Sequence, residues 1–84
     1  MDRTSDWLND GYQLQRRVDC SSFMAAIDLV TQVAALAEEM DHHPDITITW
    51  KTVTFTLRTH SKNAITELDF ELAKKIDALV MTQN

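Results

Sequence analysis

The stretch ITITWKTVTFTL, residues 46–57, constrains the fold of this chain more than any other, because apolar and polar residues alternate along it twice. The apolar positions are Ile46, Ile48, Trp50, Val53, Phe55 and Leu57. Alternation with period two, in residues that are mostly β-branched or aromatic, predicts two half-buried strands. Trp50 and Val53 share the apolar face only if Lys51-Thr52 forms a two-residue turn, so the sequence predicts a hairpin with that turn.

The predicted turn sets which residues of the two strands face each other. The partners are Ile48 with Phe55, Ile46 with Leu57, Pro44 with Thr59 and, one step further, His43 with His60. Directly opposed side chains begin about 5 Å apart in an antiparallel pair. We therefore expect the three histidines of the chain, His42, His43 and His60, to converge at one end of the hairpin.

A strand and a helix are predicted before the hairpin. Alternating apolar residues predict the strand at Tyr12, Leu14, Val18 and Cys20, although Arg16 falls among the apolar positions. Ser21 or Ser22 can cap the helix that follows. Its apolar residues recur at helical spacing at Phe23, Ile27, Val30, Ala34 and Ala37. Because Pro44 disfavours helical geometry at His43, the helix is expected to end near Met40–Asp41.

A second helix is predicted near the C-terminal end of the sequence. Thr66 and Asp69 have the spacing of a capping box, and Ile65 and Phe70 that of the flanking hydrophobic staple. The apolar face beyond them consists of Leu68, Leu72, Ile76, Leu79 and Val80. We therefore predict an α+β fold, one domain over residues 1–84, in which two helices pack on one face of an antiparallel sheet in the order β-α-β-β-α.

Charge and cysteine content exclude several classes of function. The chain carries 13 acidic against 8 basic residues, and the basic residues cluster no further than pairs, so direct binding of nucleic acid is not expected. The single cysteine, Cys20, excludes an internal disulfide and favours an intracellular location. The polar opening MDRTSDWLND is unlike a secretory signal, and no apolar run approaches the roughly 20 residues of a membrane span. These features predict a cytoplasmic protein that does not act at a membrane.

Converging histidines are compatible with several kinds of site. They can be surface residues brought together by chance, or metal ligands to which Glu38 and Asp41 add oxygens, although adjacent histidines lack the usual ligand spacing. Nucleophilic catalysis is poorly supported, because Cys20 has the inward parity of a core residue and Ser61 has no evident oxyanion site. General acid–base catalysis fits best, since an imidazole can donate or accept a proton near neutral pH. The spacing by itself predicts an acid–base pocket for a small polar ligand.

The residues around the histidines resemble a known family. Glu38, then His42-His43-Pro44, then Trp50, Thr59-His60 and Asp69 follow the order and spacing of the pterin-4a-carbinolamine dehydratase family. The similarity extends beyond this motif, because LQRRVDCSSF resembles the first strand and helix start of the family and ITELDFELAKKID resembles its last helix. The resemblance covers residues 12–80, which is most of the chain.

The resemblance implies an enzyme that dehydrates 4a-hydroxytetrahydropterin (the 4a-carbinolamine) to quinonoid dihydropterin in tetrahydrobiopterin recycling. It implies proton transfer by His42 and His60, with His43 assisting or holding the pterin and Glu38 binding the pterin or orienting a histidine. Other expected pocket residues are Pro44, Thr59, Ser61 and Lys62. Asp69 belongs to the family pattern, but its spacing from Thr66 favours a structural capping role. Trp50 and Phe55 are expected in the core, and no metal or organic cofactor is required.

The expected partners are the pterin substrate and further copies of the chain. Relatives in the family associate, and a chain of 84 residues buries only about 60% of its unfolded surface, so a homodimer or homotetramer is expected. Some family members also act as dimerisation partners of a homeodomain transcription factor. The alternative function is therefore a non-catalytic coactivator or assembly factor on the same fold, with an unidentified protein partner. The intact set of Glu38, His42, His43 and His60 favours the enzyme.

Overall fold

The computed structural model describes residues 7–83, so the first six residues of the polar opening segment lie outside it. Within this range the elements are β1 (Leu8–Asn9), β2 (Leu14–Asp19), α1 (Phe23–Met40), β3 (Asp45–Thr49), β4 (Thr52–Leu57) and α2 (Glu67–Gln83). The strands form one antiparallel sheet in the order β1-β2-β4-β3. The α+β fold is confirmed, and the predicted order of elements gains one unpredicted strand, the two-residue β1.

Both helices cover the same face of the sheet. The inward positions of β2 and β4 are buried together with one face of each helix, and they form a single apolar core. Its largest fully buried apolar side chains are Phe55, Leu29, Leu57, Leu72, Ile76, Val33 and Val53. Phe55 is thus a core residue, as predicted. In residues 7–83 no helix is long and apolar enough to cross a membrane.

The register of the β3–β4 hairpin differs from the predicted one. Thr49 pairs with Thr52, so the two-residue turn is Trp50-Lys51 rather than Lys51-Thr52. The observed pairs are Ile46 with Phe55 and Ile48 with Val53, and the ladder begins with the pair Asp45 and Thr56. The predicted pairs of Pro44 with Thr59 and of His43 with His60 therefore do not form. The partners are displaced by two residues, which leaves the side chains of the paired strand residues on their predicted faces. Period-two alternation cannot distinguish these registers.

Trp50 occupies the first central position of the turn, and its predicted place in the core is wrong. Its φ is +59°, a conformation that L-residues rarely adopt, while Lys51 has no positive φ. Positive φ at the first central position alone is the pattern of a type II′ hairpin turn, where glycine is preferred. The Trp50 side chain is 70% exposed because it leaves the strand at the turn.

We expect Trp50→Gly to raise the free energy of unfolding by about 1 kcal/mol, because glycine relieves the backbone cost of positive φ. Urea denaturation measures this change. Trp50→Ala is the matched control, since it removes the exposed ring but keeps a Cβ at the same φ; we expect its stability to stay within about 0.5 kcal/mol of the unsubstituted chain. A large loss in Trp50→Ala would mean that the indole contributes packing.

Helix α1 has the predicted ends but buries a different face. Ser22 is the N-cap and its Oγ accepts a hydrogen bond from the amide of Ala25 at 3.1 Å, as a capping serine does. The buried positions are Ala26, Leu29, Val33 and Ala37. Of these only Ala37 belongs to the predicted face, whose Phe23 and Ala34 are exposed. Apolar residues surround much of this helix, so its periodicity fits more than one face. Packing against α2 and the sheet selects among them.

The position of Arg16 on the apolar side of β2 is explained by Asp77 of α2. Arg16 and Asp77 form a largely buried ion pair, and the indole Nε1 of Trp7 donates a second hydrogen bond to Asp77 at 2.9 Å. A buried charge is tolerated when it is paired and hydrogen-bonded. The pair therefore joins the first long strand and the segment before it to the last helix.

Candidate active site

The end of α1 places Glu38, His42 and His43 at one end of the sheet. The helix is capped by Asp41, which adopts the left-handed conformation with φ +52°. The backbone amide of His42 donates to the carbonyl of Ala37 at 3.0 Å, and the backbone amide of Asp41 donates to the carbonyl of Glu38 at 3.2 Å. These two bonds form a Schellman motif, which turns the chain sharply out of a helix. Both histidines therefore lie directly beyond the helix, before β3 begins at Asp45.

His42 turns inward and contacts a buried carboxylate. Its Nε2 lies 2.5 Å from Oδ1 of Asp69, whose side chain is fully buried, and His42 itself is 9% exposed. An ionised carboxylate only accepts hydrogen bonds, so Nε2 carries the hydrogen in this contact. Such a contact fixes the tautomer and leaves Nδ1 as the ring nitrogen that can accept a proton.

Asp69 connects three segments of the chain. Its Oδ2 accepts hydrogen bonds from the amide of Thr66 at 2.9 Å and from the hydroxyl of Thr59 at 3.0 Å, and the Thr59 and Thr66 hydroxyls lie 2.6 Å apart. The Thr66 bond is the predicted capping interaction at the start of α2. Its other oxygen contacts His42, so the same carboxylate also adjoins a candidate site residue, and the expected structural role of Asp69 stays a prediction.

His43 and Glu38 form a second histidine–carboxylate pair, on the surface. Nε2 of His43 lies 2.6 Å from Oε2 of Glu38, and both side chains are largely exposed. An exposed pair of this kind contributes little to stability. The pair is accessible to a ligand, and the contact agrees with the expectation that Glu38 orients a histidine.

His60 lies in a short loop that closes on itself just after β4. Thr59 and Ala64 exchange backbone hydrogen bonds of 2.9 and 3.4 Å, the amide of Asn63 donates to the carbonyl of His60 at 3.1 Å, and Asn63 adopts φ +53°. His60 is exposed, as are its predicted neighbours Ser61 and Lys62. The start of the loop is fixed to helix α2, because the Thr59 hydroxyl donates a hydrogen bond to the carboxylate of Asp69.

The structure thus gathers the predicted residues at one end of the sheet, by a route that the sequence did not indicate. His42 is connected through Asp69 to Thr59, and His60 is the residue after Thr59. His43 is not paired with His60, because the hairpin ladder stops at Asp45. That the rings of His60 and of His42 or His43 face one cleft stays a prediction. Pro44 is half-buried and links His43 to the first residue of β3.

Three polar residues near His60 were not predicted to belong to the site. Tyr12 lies just before β2, its hydroxyl donates to Oδ1 of Asn63 at 2.9 Å, and Nη1 of Arg58 donates to the same hydroxyl. The Arg58 guanidinium carbon also lies 4.7 Å above the Tyr12 ring, and its Nη2 lies 3.5 Å from Nδ1 of His60. One signal in the sequence could have indicated Arg58. It lies two residues before His60, and in an extended segment residues with this spacing have side chains on the same side.

The competing kinds of site receive little support. Among residues 7–83, no group of three or more His, Cys, Asp or Glu side chains is placed to hold a metal ion. Cys20 lies at the other end of the sheet, where its amide donates to the carbonyl of Lys51 at 2.8 Å. Burial, together with the nearby Asp19 charge, raises the pKa of the Cys20 thiol. A raised pKa lowers the thiolate fraction that a nucleophile needs.

Comparison with known proteins gives a consistent result. The family model described as "Pterin 4 alpha carbinolamine dehydratase" matches residues 1–79. A Nocardia farcinica protein named "Putative pterin-4-alpha-carbinolamine dehydratase" is 53% identical over 74 residues, covering 88% of this chain and 78% of that protein. A Mycobacterium tuberculosis protein of the same name is 51% identical over 73 residues, covering 87% and 78%.

Two solved structures are similar in fold. The first, from Brucella melitensis, is described as a "transcriptional coactivator/pterin dehydratase"; it has a TM-score of 0.83 and 34% identity, over 89% of this chain and 82% of that one. The second is a "pterin dehydratase-like protein" identified as a RuBisCO assembly factor in the alpha-carboxysome, with a TM-score of 0.72 and 25% identity over 88% and 86%.

Proposed function

The chain belongs to the pterin-4a-carbinolamine dehydratase family, and from this membership we propose that it catalyses the dehydration of 4a-hydroxytetrahydropterin to quinonoid dihydropterin and water. We place this step in the recycling of tetrahydrobiopterin, in the cytoplasm. The observation that carries the proposal is the contact between His42 and the buried Asp69, which is itself bonded to Thr59 beside His60.

The proposed reaction is an elimination that proceeds by general acid–base catalysis. The C4a–O bond breaks, N5 loses its proton, and the electron pair freed at N5 forms the C4a=N5 double bond. The proton lost from N5 equals the proton that the departing hydroxide needs, so oxidation states and charge balance without another reactant. The site must supply a proton acceptor near N5 and a hydrogen donor near the leaving oxygen.

The histidines supply both requirements. Asp69 holds Nε2–H of His42, which leaves Nδ1 free to accept, and the same carboxylate stabilises positive charge that develops on the ring. His60, exposed on its closed loop, is the second histidine of the reaction and serves the leaving oxygen. His43 and Glu38, whose side chains are both accessible, bind the polar edge of the pterin. Pro44, Ser61 and Lys62 line the same pocket.

The test is direct. Chemically generated 4a-carbinolamine loses its absorbance as it dehydrates, and stopped-flow traces with and without purified protein give the rate enhancement. A saturable acceleration supports the proposal. A rate equal to that of the buffer would refute it.

A non-catalytic role is the second candidate, because one structural relative is described as a coactivator as well as a dehydratase and another as an assembly factor. The retained histidines and their two carboxylate partners favour the enzyme. A protein that binds a partner but does not accelerate dehydration would support this alternative.

We also propose that the protein associates at least into a dimer. β3 lies at an edge of the sheet, and unpaired backbone groups along an edge strand favour pairing with another chain. Light scattering at micromolar concentration should give at least twice the monomer mass. A strictly monomeric protein at that concentration would contradict the expectation.

A further inference from the structure

The side chains of Tyr12, Arg58 and Asn63 form a cluster beside His60, which we call the arginine clamp. We propose that the clamp fixes the orientation and tautomer of His60, so that Nδ1 accepts from Arg58 and Nε2–H is left to donate to the substrate. Arg58 is then a positioning residue, and the inference rests on the proposed dehydration only for its consequence in catalysis.

The polarity of the clamp follows from the donors and acceptors present. A guanidinium has five N–H donors and no acceptor, so where Arg58 Nη2 meets His60 Nδ1 at 3.5 Å the ring nitrogen must accept. A neutral imidazole that accepts at Nδ1 carries its hydrogen on Nε2. The contact therefore selects one of the two tautomers of the ring.

The guanidinium is itself held from two sides. Nη1 donates to the Tyr12 hydroxyl, and the guanidinium lies over the Tyr12 ring in a cation–π contact of 4.7 Å. The Tyr12 hydroxyl, having accepted from Arg58, donates its own hydrogen to Asn63 at 2.9 Å. The clamp thus links the segment before β2, the end of β4 and the loop that carries His60. A planar, forked side chain is suited to making these contacts together.

His42 and His60 consequently receive opposite polar environments. A carboxylate contacts His42 and requires a hydrogen on Nε2, while a cation contacts His60 and requires a lone pair on Nδ1. His42 is then suited to accept the N5 proton through Nδ1. His60 is suited to stabilise the departing hydroxide by a hydrogen bond from Nε2–H, which the neutral ring keeps. The hydroxide becomes water with a proton from solvent, and His42 returns the N5 proton to solvent. The clamp thereby divides the acceptor and donor roles between the two rings.

Arg58→Met, Arg58→Lys and Tyr12→Phe test the clamp, and Arg17→Met is the matched control, since Arg17 is an exposed arginine on β2. Side-chain ¹⁵N spectra of the substrate-free proteins report which ring nitrogen of His60 carries hydrogen. We expect the Nε2–H form in the unsubstituted chain and in Arg17→Met, and a mixture of both tautomers in Arg58→Met. This readout does not require dehydratase activity, so it separates failure of the clamp from failure of the proposed function.

Kinetics provide the second readout. We expect Arg58→Met to lower kcat about 10- to 100-fold with little change in KM, because His60 is misplaced rather than removed. Lysine, which keeps the charge but not the fork, should restore only part of the rate. Tyr12→Phe should have a smaller effect, and Tyr12→Phe with Arg58→Met should lose less than the sum of the two. Unchanged His60 spectra and unchanged kcat in Arg58→Met would overturn the inference.

Discussion

Replacing His60 by alanine is expected to lower the rate of carbinolamine dehydration about 10²- to 10⁴-fold, the usual contribution of a general acid or base. Because His60 is exposed and lies in a loop closed by backbone bonds, the free energy of unfolding should change by less than about 0.5 kcal/mol. Stopped-flow kinetics and urea denaturation measure the two quantities. His60→Gln is a graded control, because its amide nitrogen can replace the Nε2–H donor, and it should retain more activity than the alanine variant.

His42 needs a different substitution for a clean test, because it is buried against Asp69. His42→Ala would leave that carboxylate without one of its donors, so a loss of rate would be mixed with a loss of stability. Glutamine at this position can still donate to Asp69 but cannot accept a proton. We expect His42→Gln to lose rate as His60→Ala does, with little change in melting temperature. If His42→Gln and His60→Ala both keep full activity, the assigned mechanism is wrong.

The second large effect is expected at Asp69, where structure and chemistry share one side chain. Asp69→Ala removes the acceptor for His42, Thr59 and the Thr66 amide at a fully buried position. Breaking a buried charged contact by removing one partner typically costs about 3–5 kcal/mol. We therefore expect a large fall in the free energy of unfolding by urea denaturation, well beyond the roughly 0.5–2 kcal/mol of a helix cap alone.

Asp69→Asn separates the two roles of this residue. The amide oxygen can still accept from Thr59 and Thr66, while the amide nitrogen then faces His42 and requires its Nε2 to accept. The hydrogen of His42 moves to Nδ1, which can no longer take the N5 proton. We expect a rate loss of at least about 10²-fold, with a smaller loss of stability than in Asp69→Ala. An Asp69→Asn protein with full activity would show that Asp69 is only structural.

Local features of the fold were predictable because they depend on residues close together in the chain. Ser22 caps α1, Pro44 lies just beyond the end of α1, and Asp69 accepts from Thr66 at the start of α2, as their spacings indicate. Alternation along β2 and β4 likewise identified the buried faces, since Leu14, Val18, Val53, Phe55 and Leu57 are all core residues. The ordered motif from Glu38 through His42-His43-Pro44 and Thr59-His60 to Asp69, together with similarity over residues 12–80, indicated the family.

Tertiary structure alone decided what depends on competing contacts. Two hairpin registers place the same strand residues inward, and in the folded chain the turn is at Trp50-Lys51 while β4 pairs with both β2 and β3. The contact of His42 with Asp69 joins residues 27 positions apart on different elements. Arg58 and Tyr12 are 46 positions apart, and their contact forms only after the end of β4 lies beside the segment before β2. Spacing along the chain carries no signal for such contacts, because they arise from the packing of whole elements against each other.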